Sequence, residues 1–247
     1  SMKTAPIRAN ARYIYIALAC VLIIKPFIPD GFNQDTRNRL DDKFSTTEPW
    51  ATTQSYISYL QNLRESDRLQ SNMEAVAKNA TIHSTDATDA QTYVLVIGES
   101  TNRNRLSLYG YPRDTNPRLQ EIRHELLVYN DVVANIPYTI ESLSSTLTFT
   151  PPEKYNEAYR AMNVITMMKK AGFKTFWITN QQTLTHRNTM LTAFAKLTDE
   201  PTFLNNNRRQ SANSYDEVVL KPFADALSDN AKRKLIVVHL IGTHFAY

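Results

Sequence analysis

Five side chains, at four places in the sequence, bear polar, ligand-capable groups: Glu99, Thr139, Asn180 and the pair His239 and His244. Each place comes after an apolar run. The local sequences are Gly98-Glu99-Ser100-Thr101-Asn102, Asn135-Ile136-Pro137-Tyr138-Thr139, Asn180-Gln181-Gln182, and His239 through Gly242-Thr243-His244. A carboxylate at the end of a buried strand needs a partner, because an unpaired buried charge is costly. For Glu99, a metal ion and a neighbouring Arg103 or Arg105 are even answers, and zinc and harder ions alike accept carboxylate oxygen. Thr139, just before Ile140-Glu141-Ser142-Leu143, reads in two ways. It caps a helix, or its hydroxyl sits at a helix N-terminus where amides and the dipole favour a phosphoryl group under attack. A lone strand histidine is ordinarily a core residue, whereas two around a glycine turn suit metal ligands or phosphate contacts. His83, His124 and His186 lack such a setting and read as surface residues.

The elements that must position these groups show in the apolar pattern. Residues 93–97, 126–134, 174–179 and 234–240 form strand-like apolar runs. Helical patterns lie between them at about 157–171, 186–197 and 215–228, the first stopped by Gly172 after Lys169-Lys170-Ala171. Buried strands alternating with amphipathic helices predict an α/β fold with a mostly parallel sheet and flanking helices. Ligands in such sheets bind at the carboxyl ends of the strands, which is where all four polar segments fall. Upstream, Tyr56, Ile57, Tyr59, Leu60 and Leu63 recur at helical spacing and predict a helix over about 50–78. His83 to Ala90 is small and polar and reads as a linker.

Composition bounds the rest. The 247 residues are 42% hydrophobic and 21% charged, as a globular chain is. A formal net charge of +4 is too weak and scattered to argue for nucleic acid. Arg208-Arg209 and Lys232-Arg233-Lys234 read as solvated faces. The single cysteine, Cys20, excludes an internal disulfide framework and a cysteine-based zinc site. Tyr13 to Ile24 is apolar without a break, and with Phe27 and Ile28 it nears the length of about 20 residues that a membrane span needs. Lys3, Arg8 and Arg12 precede it while Asp30, Asp35, Asp41 and Asp42 come after, so the positive-inside rule places the N-terminus in the cytoplasm and the remainder outside. A buried soluble helix or strand competes with that reading.

Val94-Leu95-Val96-Ile97-Gly98-Glu99-Ser100-Thr101, running into Arg105-Leu106-Ser107-Leu108-Tyr109-Gly110-Tyr111-Pro112-Arg113-Asp114-Thr115-Asn116-Pro117, closely resembles the start of the catalytic domain of bacterial phosphoethanolamine transferases. These belong to the sulfatase and alkaline-phosphatase superfamily. Pro137-Tyr138-Thr139-Ile140-Glu141, Lys174 through Gln182, and Val238-His239-Leu240-Ile241-Gly242-Thr243-His244 resemble the branch that decorates heptose in the lipopolysaccharide core. The similarity runs through nearly the whole chain and is weakest over 31–90.

The resemblance implies several things. Residues 1–30 would hold the last transmembrane helix, 31–90 a linker with an amphipathic helix, and 91–247 the N-terminal part of the catalytic domain. Glu99 matches a zinc ligand. Thr139 matches a nucleophile that also binds zinc and carries the phosphoethanolamine intermediate, and His239 and His244 match substrate-pocket histidines. Asn180 lies in a segment at the pocket edge. The donor would be phosphatidylethanolamine and the acceptor the lipopolysaccharide core, with catalysis on the periplasmic face of the inner membrane. The family completes its zinc site with a downstream Asp-His pair, and this chain has no Asp-His dipeptide. The other readings are transfer to another periplasmic glycan or lipid A, and an inactive fragment that only docks at a membrane.

Overall fold

The structure, a computed structural model, describes residues 13–20, 48–82, 89–183, 188–205 and 215–242. Two compact units divide the chain, Ser1–Gln61 and Asn62–Tyr247. In the first, residues 13–20 are helical and exposed, Cys20 among them. Among the described residues no helix is long and apolar enough to cross a membrane. The apolar run beyond Cys20, the His83–Ala90 linker up to residue 88, His186, Arg208-Arg209 and His244 lie outside the described residues. Helix α1, Glu48–Asn79, matches the spacing-based expectation. Its later turns bury one stripe, Ser66, Leu69, Met73 and Ala77, at the three- and four-residue spacing of a helix face.

The second unit is built on four parallel strands: β1 (Gln91–Ile97), β2 (Lys174–Gln182), β3 (Glu200–Asn205) and β4 (Arg233–His239), in the order β1-β4-β2-β3. Two apolar layers sandwich β4 and β2. One face packs Trp177, Leu235 and Val237 against Leu69, Met73, Leu191 and Phe194; the other packs Phe176, Ile178, Ile236 and Val238 against Val219 and Ala226. Burial on both faces is why these strands read as unbroken apolar runs. β1 is an edge strand, and although its sequence is as apolar, Val94 and Val96 are exposed.

Three expectations need correction. The run 126–134 is no strand: it is irregular, and Leu127 and Val133 are 87% and 85% exposed. Apolar residues make a strand only where a neighbour offers ladder partners, and the described sheet forms without this segment, which crosses over to deliver Thr139. The helix expected over 157–171 is two pieces, a 3₁₀ stretch Pro152–Arg160 and α4 (Val164–Lys170), with Asn163 capping the Thr166 amide at 2.9 Å between them. The basic trio is not a solvated face. Lys234 is buried and donates to the carbonyls of Leu227 at 2.5 Å and Asp229 at 2.9 Å, while Arg233 stacks 4.1 Å over Phe173 and only Lys232 is exposed.

The remaining helices are α2 (Pro117–Glu121), α3 (Thr139–Thr146), α5 (Thr189–Lys196) and α6 (Leu220–Leu227), the last entered through a 3₁₀ turn at Asp216–Val219. β3 escaped the pattern reading because it is short, polar at both ends and carries Pro201, which an edge strand tolerates.

Candidate active site

Strand register fixes the geometry. Ile97 pairs with His239, and His239 with Thr179, so β1 and β4 end level while β2 runs on three residues to Gln182. Three segments therefore meet at one edge of the sheet: Glu99 after β1, the last residues of β2, and Leu240 to Gly242 after β4. Leu240 extends the ladder by donating to the Ile97 carbonyl at 3.0 Å.

Thr139 arrives by a different route. The irregular segment before it is pinned to α3: the Asn135 amide donates to Ser145 Oγ, and its Oδ1 accepts from Ser142 Oγ at 3.1 Å. Ile140 and Leu143 pack against the core and hold the helix axis. Thr139 is the first helical residue, and Tyr138, at the cap position, makes no side-chain capping bond. Thr139 does not cap the helix with its hydroxyl; it donates it across the cleft to Glu99, 3.2 Å from each carboxylate oxygen.

Glu99 is 6% exposed. Ser100 Oγ donates to Oε1 at 2.8 Å, and the Gln181 amide donates to Oε2 at 3.3 Å and to the Leu240 carbonyl at 2.7 Å. Ser100 adopts φ +49°, a left-handed conformation that costs a non-glycine residue about 1–3 kcal/mol. Arg103 and Arg105, the other partners considered for Glu99, stack instead on Tyr109 and Tyr111. The carboxylate, hydroxyl and loop backbone line a cleft of about 330 Å³ with Pro137 and Tyr138 on its far wall.

Zinc fits this pair of donors. A carboxylate and a hydroxyl face each other across an accessible cleft, and both are oxygen groups that zinc accepts. Among the described residues no cluster of three His, Cys, Asp or Glu gathers, so Glu99 and Thr139 could offer at most two of the four positions that zinc usually takes.

His239 stands apart from the cleft. It is 1% exposed, edge-on to Trp177 at 6.3 Å between centroids, and it borders a small cavity with Thr179, Gln181 and Thr192. Its Nε2 has no hydrogen-bond partner among the described residues. Burial pushes its pKa down to about 4, against a smaller upward pull from Asp216, so the imidazole is neutral near pH 7.

Asn180 takes a structural task. Its amide donates to Asp216 Oδ1 at 3.1 Å, and Asp216 also accepts the Ile241 amide at 2.9 Å and the Gly242 amide at 2.7 Å. Asp216 thus clamps the turn after β4. Gly242 sits at φ +45°, a conformation that suits glycine, and a Cβ there would lie 3.6 Å from the Glu99 carbonyl oxygen. Neither Asp216 nor the bridging task of Gln181 was legible in the sequence. Asp216 falls in a helical pattern where an acid reads as a first-turn residue, and only the fold brings it to the strand ends.

Comparison with known proteins agrees with this geometry. The sulfatase family matches residues 91–247. The chain is 45% identical over 246 residues to phosphoethanolamine transferase EptC of Escherichia coli (strain K12), covering 96% of this chain and 42% of that protein. It is 43% identical over 247 residues to phosphoethanolamine transferase CptA of Salmonella typhimurium, with the same coverage. The crystal structure of the C-terminal periplasmic domain of EptC from Escherichia coli, solved in complex with zinc, superposes with a TM-score of 0.61 at 52% identity, over 66% of this chain and 46% of that one. The chain thus spans less than half the length of these curated relatives. With the sheet, the Glu99–Thr139 pair and the match over 91–247 all in place, the chain belongs to the sulfatase family.

Proposed function

We propose that this chain is part of a phosphoethanolamine transferase that moves phosphoethanolamine from phosphatidylethanolamine to the lipopolysaccharide core through Thr139. The contact that carries the reading is the Thr139 hydroxyl donating to both oxygens of Glu99 at 3.2 Å. A structural threonine at a helix start would turn its hydroxyl onto its own helix. This one is held across a cleft by a buried carboxylate.

Glu99 and Thr139 would hold zinc, which when bound supplies Lewis acidity that lowers the pKa of the threonine hydroxyl. Glu99 orients the hydroxyl, and Ser100 and Gln181 fix Glu99. The uncapped first turn of α3 offers backbone amides and the positive end of its dipole to the phosphoryl oxygens. Thr139 Oγ forms the new bond to phosphorus, the bond to the diacylglycerol oxygen breaks, and the hydroxyl proton leaves with that oxygen. In the second step the acceptor hydroxyl or phosphate attacks the same phosphorus and frees Thr139. The resemblance assigns His239 and His244 to the substrate side of the site, His239 from a buried position outside the cleft.

The domain layout of residues 1–30, 31–90 and 91–247 belongs to the same proposal, as do the inner membrane and its periplasmic face. Lipid-borne donor and acceptor make a membrane tether useful, since it raises their effective concentration.

The test is intact-mass analysis after incubation with zinc and phosphatidylethanolamine, on this chain alone and fused to the Asp-His region that the resemblance implies. A phosphoethanolamine adduct on Thr139 of the fused chain, lost in Thr139→Ala, is expected. A folded, zinc-loaded protein without adduct would overturn the proposal.

A further inference from the structure

The segment that leaves the cleft wall holds two arginines the reacting centre does not use. Thr101 lines the cleft, and beyond it Arg103 and Arg105 share one 3₁₀ turn, Arg103–Arg105, whose preceding Asn102 side chain accepts the Asn104 amide at 2.9 Å. Both arginines are exposed. Arg103 lies over the Tyr109 ring at 5.0 Å and Arg105 over the Tyr111 ring at 5.5 Å, and both rings are half-buried. Side chains lace the turn beneath them. Thr115 Oγ1 accepts the Ser107 amide at 3.0 Å and donates to the Arg105 carbonyl at 2.7 Å, and Asn116 Oδ1 accepts the Leu108 amide at 3.1 Å.

Among the described residues the arginine–carboxylate pairs are Arg68–Glu65 and Arg160–Glu157, so neither stacked arginine has one. Asp114 is exposed in the same loop and pairs with neither. Stacking occupies the face of a guanidinium and leaves most of its N–H edge available, the fork that grips phosphate through two bonds. It also restrains a side chain that would otherwise lose rotamer freedom on binding. Arg105 spends one N–H on the Tyr111 hydroxyl at 3.2 Å.

We infer that Arg103 and Arg105, on their tyrosine platforms, form a binding site for a phosphomonoester carried by the glycan acceptor. The inference rests on the reading that the phosphorus under attack sits at Thr139. Neither arginine lines the cleft, so that phosphorus is not theirs. The lipid donor brings one phosphate, the reacting one. An anion held outside the cleft therefore belongs to the second substrate.

The test titrates the 247-residue chain with mannose 6-phosphate, and with mannose as the uncharged control, tracking the arginine side-chain N–H signals by NMR. The sugar phosphate is expected to move the Arg103 and Arg105 signals to saturation, and mannose to leave them still. The double variant R103Q/R105Q should bind about tenfold more weakly, and R103K/R105K, which keeps the charge and guards against a folding defect, should recover only part. Equal affinity in R103Q/R105Q, or equal response to mannose, overturns the site. So does binding confined to phosphatidylglycerol vesicles, which would make the ligand a lipid phosphate. Thr139→Ala should leave the titration unchanged. Intact arginine-dependent binding in a protein that never forms the Thr139 adduct would sink the transferase reading and leave the anion site standing.

Discussion

The Thr139 hydroxyl stands 3.2 Å from both oxygens of Glu99, although 40 residues separate the two in the chain. One residue ends a strand and the other begins a helix. The contact exists only because the segment between them crosses the sheet edge and is pinned by Asn135 to α3.

Glu99→Gln tests the charge at that contact. The amide preserves shape but halves the acceptor capacity and removes the negative charge zinc requires. Zinc affinity should fall by at least roughly tenfold while the fold persists. Competition against a zinc chelator, with circular dichroism as the fold check, reads both quantities; unchanged affinity would remove Glu99 from the metal site.

Gln181→Leu acts one layer further out. Its amide bridges Glu99 Oε2 and the Leu240 carbonyl. Loss of an outer partner of a metal ligand costs about 10–100-fold in affinity. Gln181→Asn, too short to span both acceptors, should also lose affinity, whereas full binding by either variant argues that Ser100 and Thr139 alone orient the carboxylate.

Asp216→Ala frees two backbone amides, Ile241 and Gly242, and the Asn180 amide. The part-buried donors of Ile241 and Asn180, left without this acceptor, cost about 1–3 kcal/mol each, and the exposed Gly242 amide less. Hydrogen exchange should accelerate at Ile241 and Gly242 well before it does in β4. Uniform acceleration across the sheet would instead mark Asp216 as a general stability residue.

His239 makes stability depend on pH. Its pKa is about 4 in the folded chain against an ordinary 6.5. Between those values the unfolded chain binds a proton the folded chain does not. Stability therefore falls as pH drops through that window, by about 3 kcal/mol in full. Urea midpoints at about pH 7.5 and about pH 4.5 should separate more for the wild type than for His239→Phe. Equal separations would mean that other groups carry the pH dependence.

Gly172 ends α4 at φ +84°, its amide donating to the Lys169 carbonyl at 2.9 Å. An added Cβ would have room, 3.6 Å from Arg233, so Gly172→Ala tests the backbone alone. It should destabilise by about 1 kcal/mol, read as a lowered thermal midpoint.

Features encoded within a few residues of themselves were legible in the amino-acid order. Apolar runs in β2 and β4 announced strands buried on both faces, helical spacing announced α1, and Gly172 announced the end of α4. Glu99 and Thr139 stood out as a carboxylate after a strand and a hydroxyl before a helix. Tertiary packing settled whatever depends on neighbours. Leu126 to Ala134 has a strand's composition but no ladder partner, so it stayed irregular. Lys234 has the composition of a solvated face, yet carbonyls of the turn after α6 receive its ammonium and bury it. The pairing of Glu99 with Thr139, the clamp at Asp216 and the bridge through Gln181 are contacts between segments far apart in the chain. Strand register and helix packing fix those distances, and no local pattern contains them.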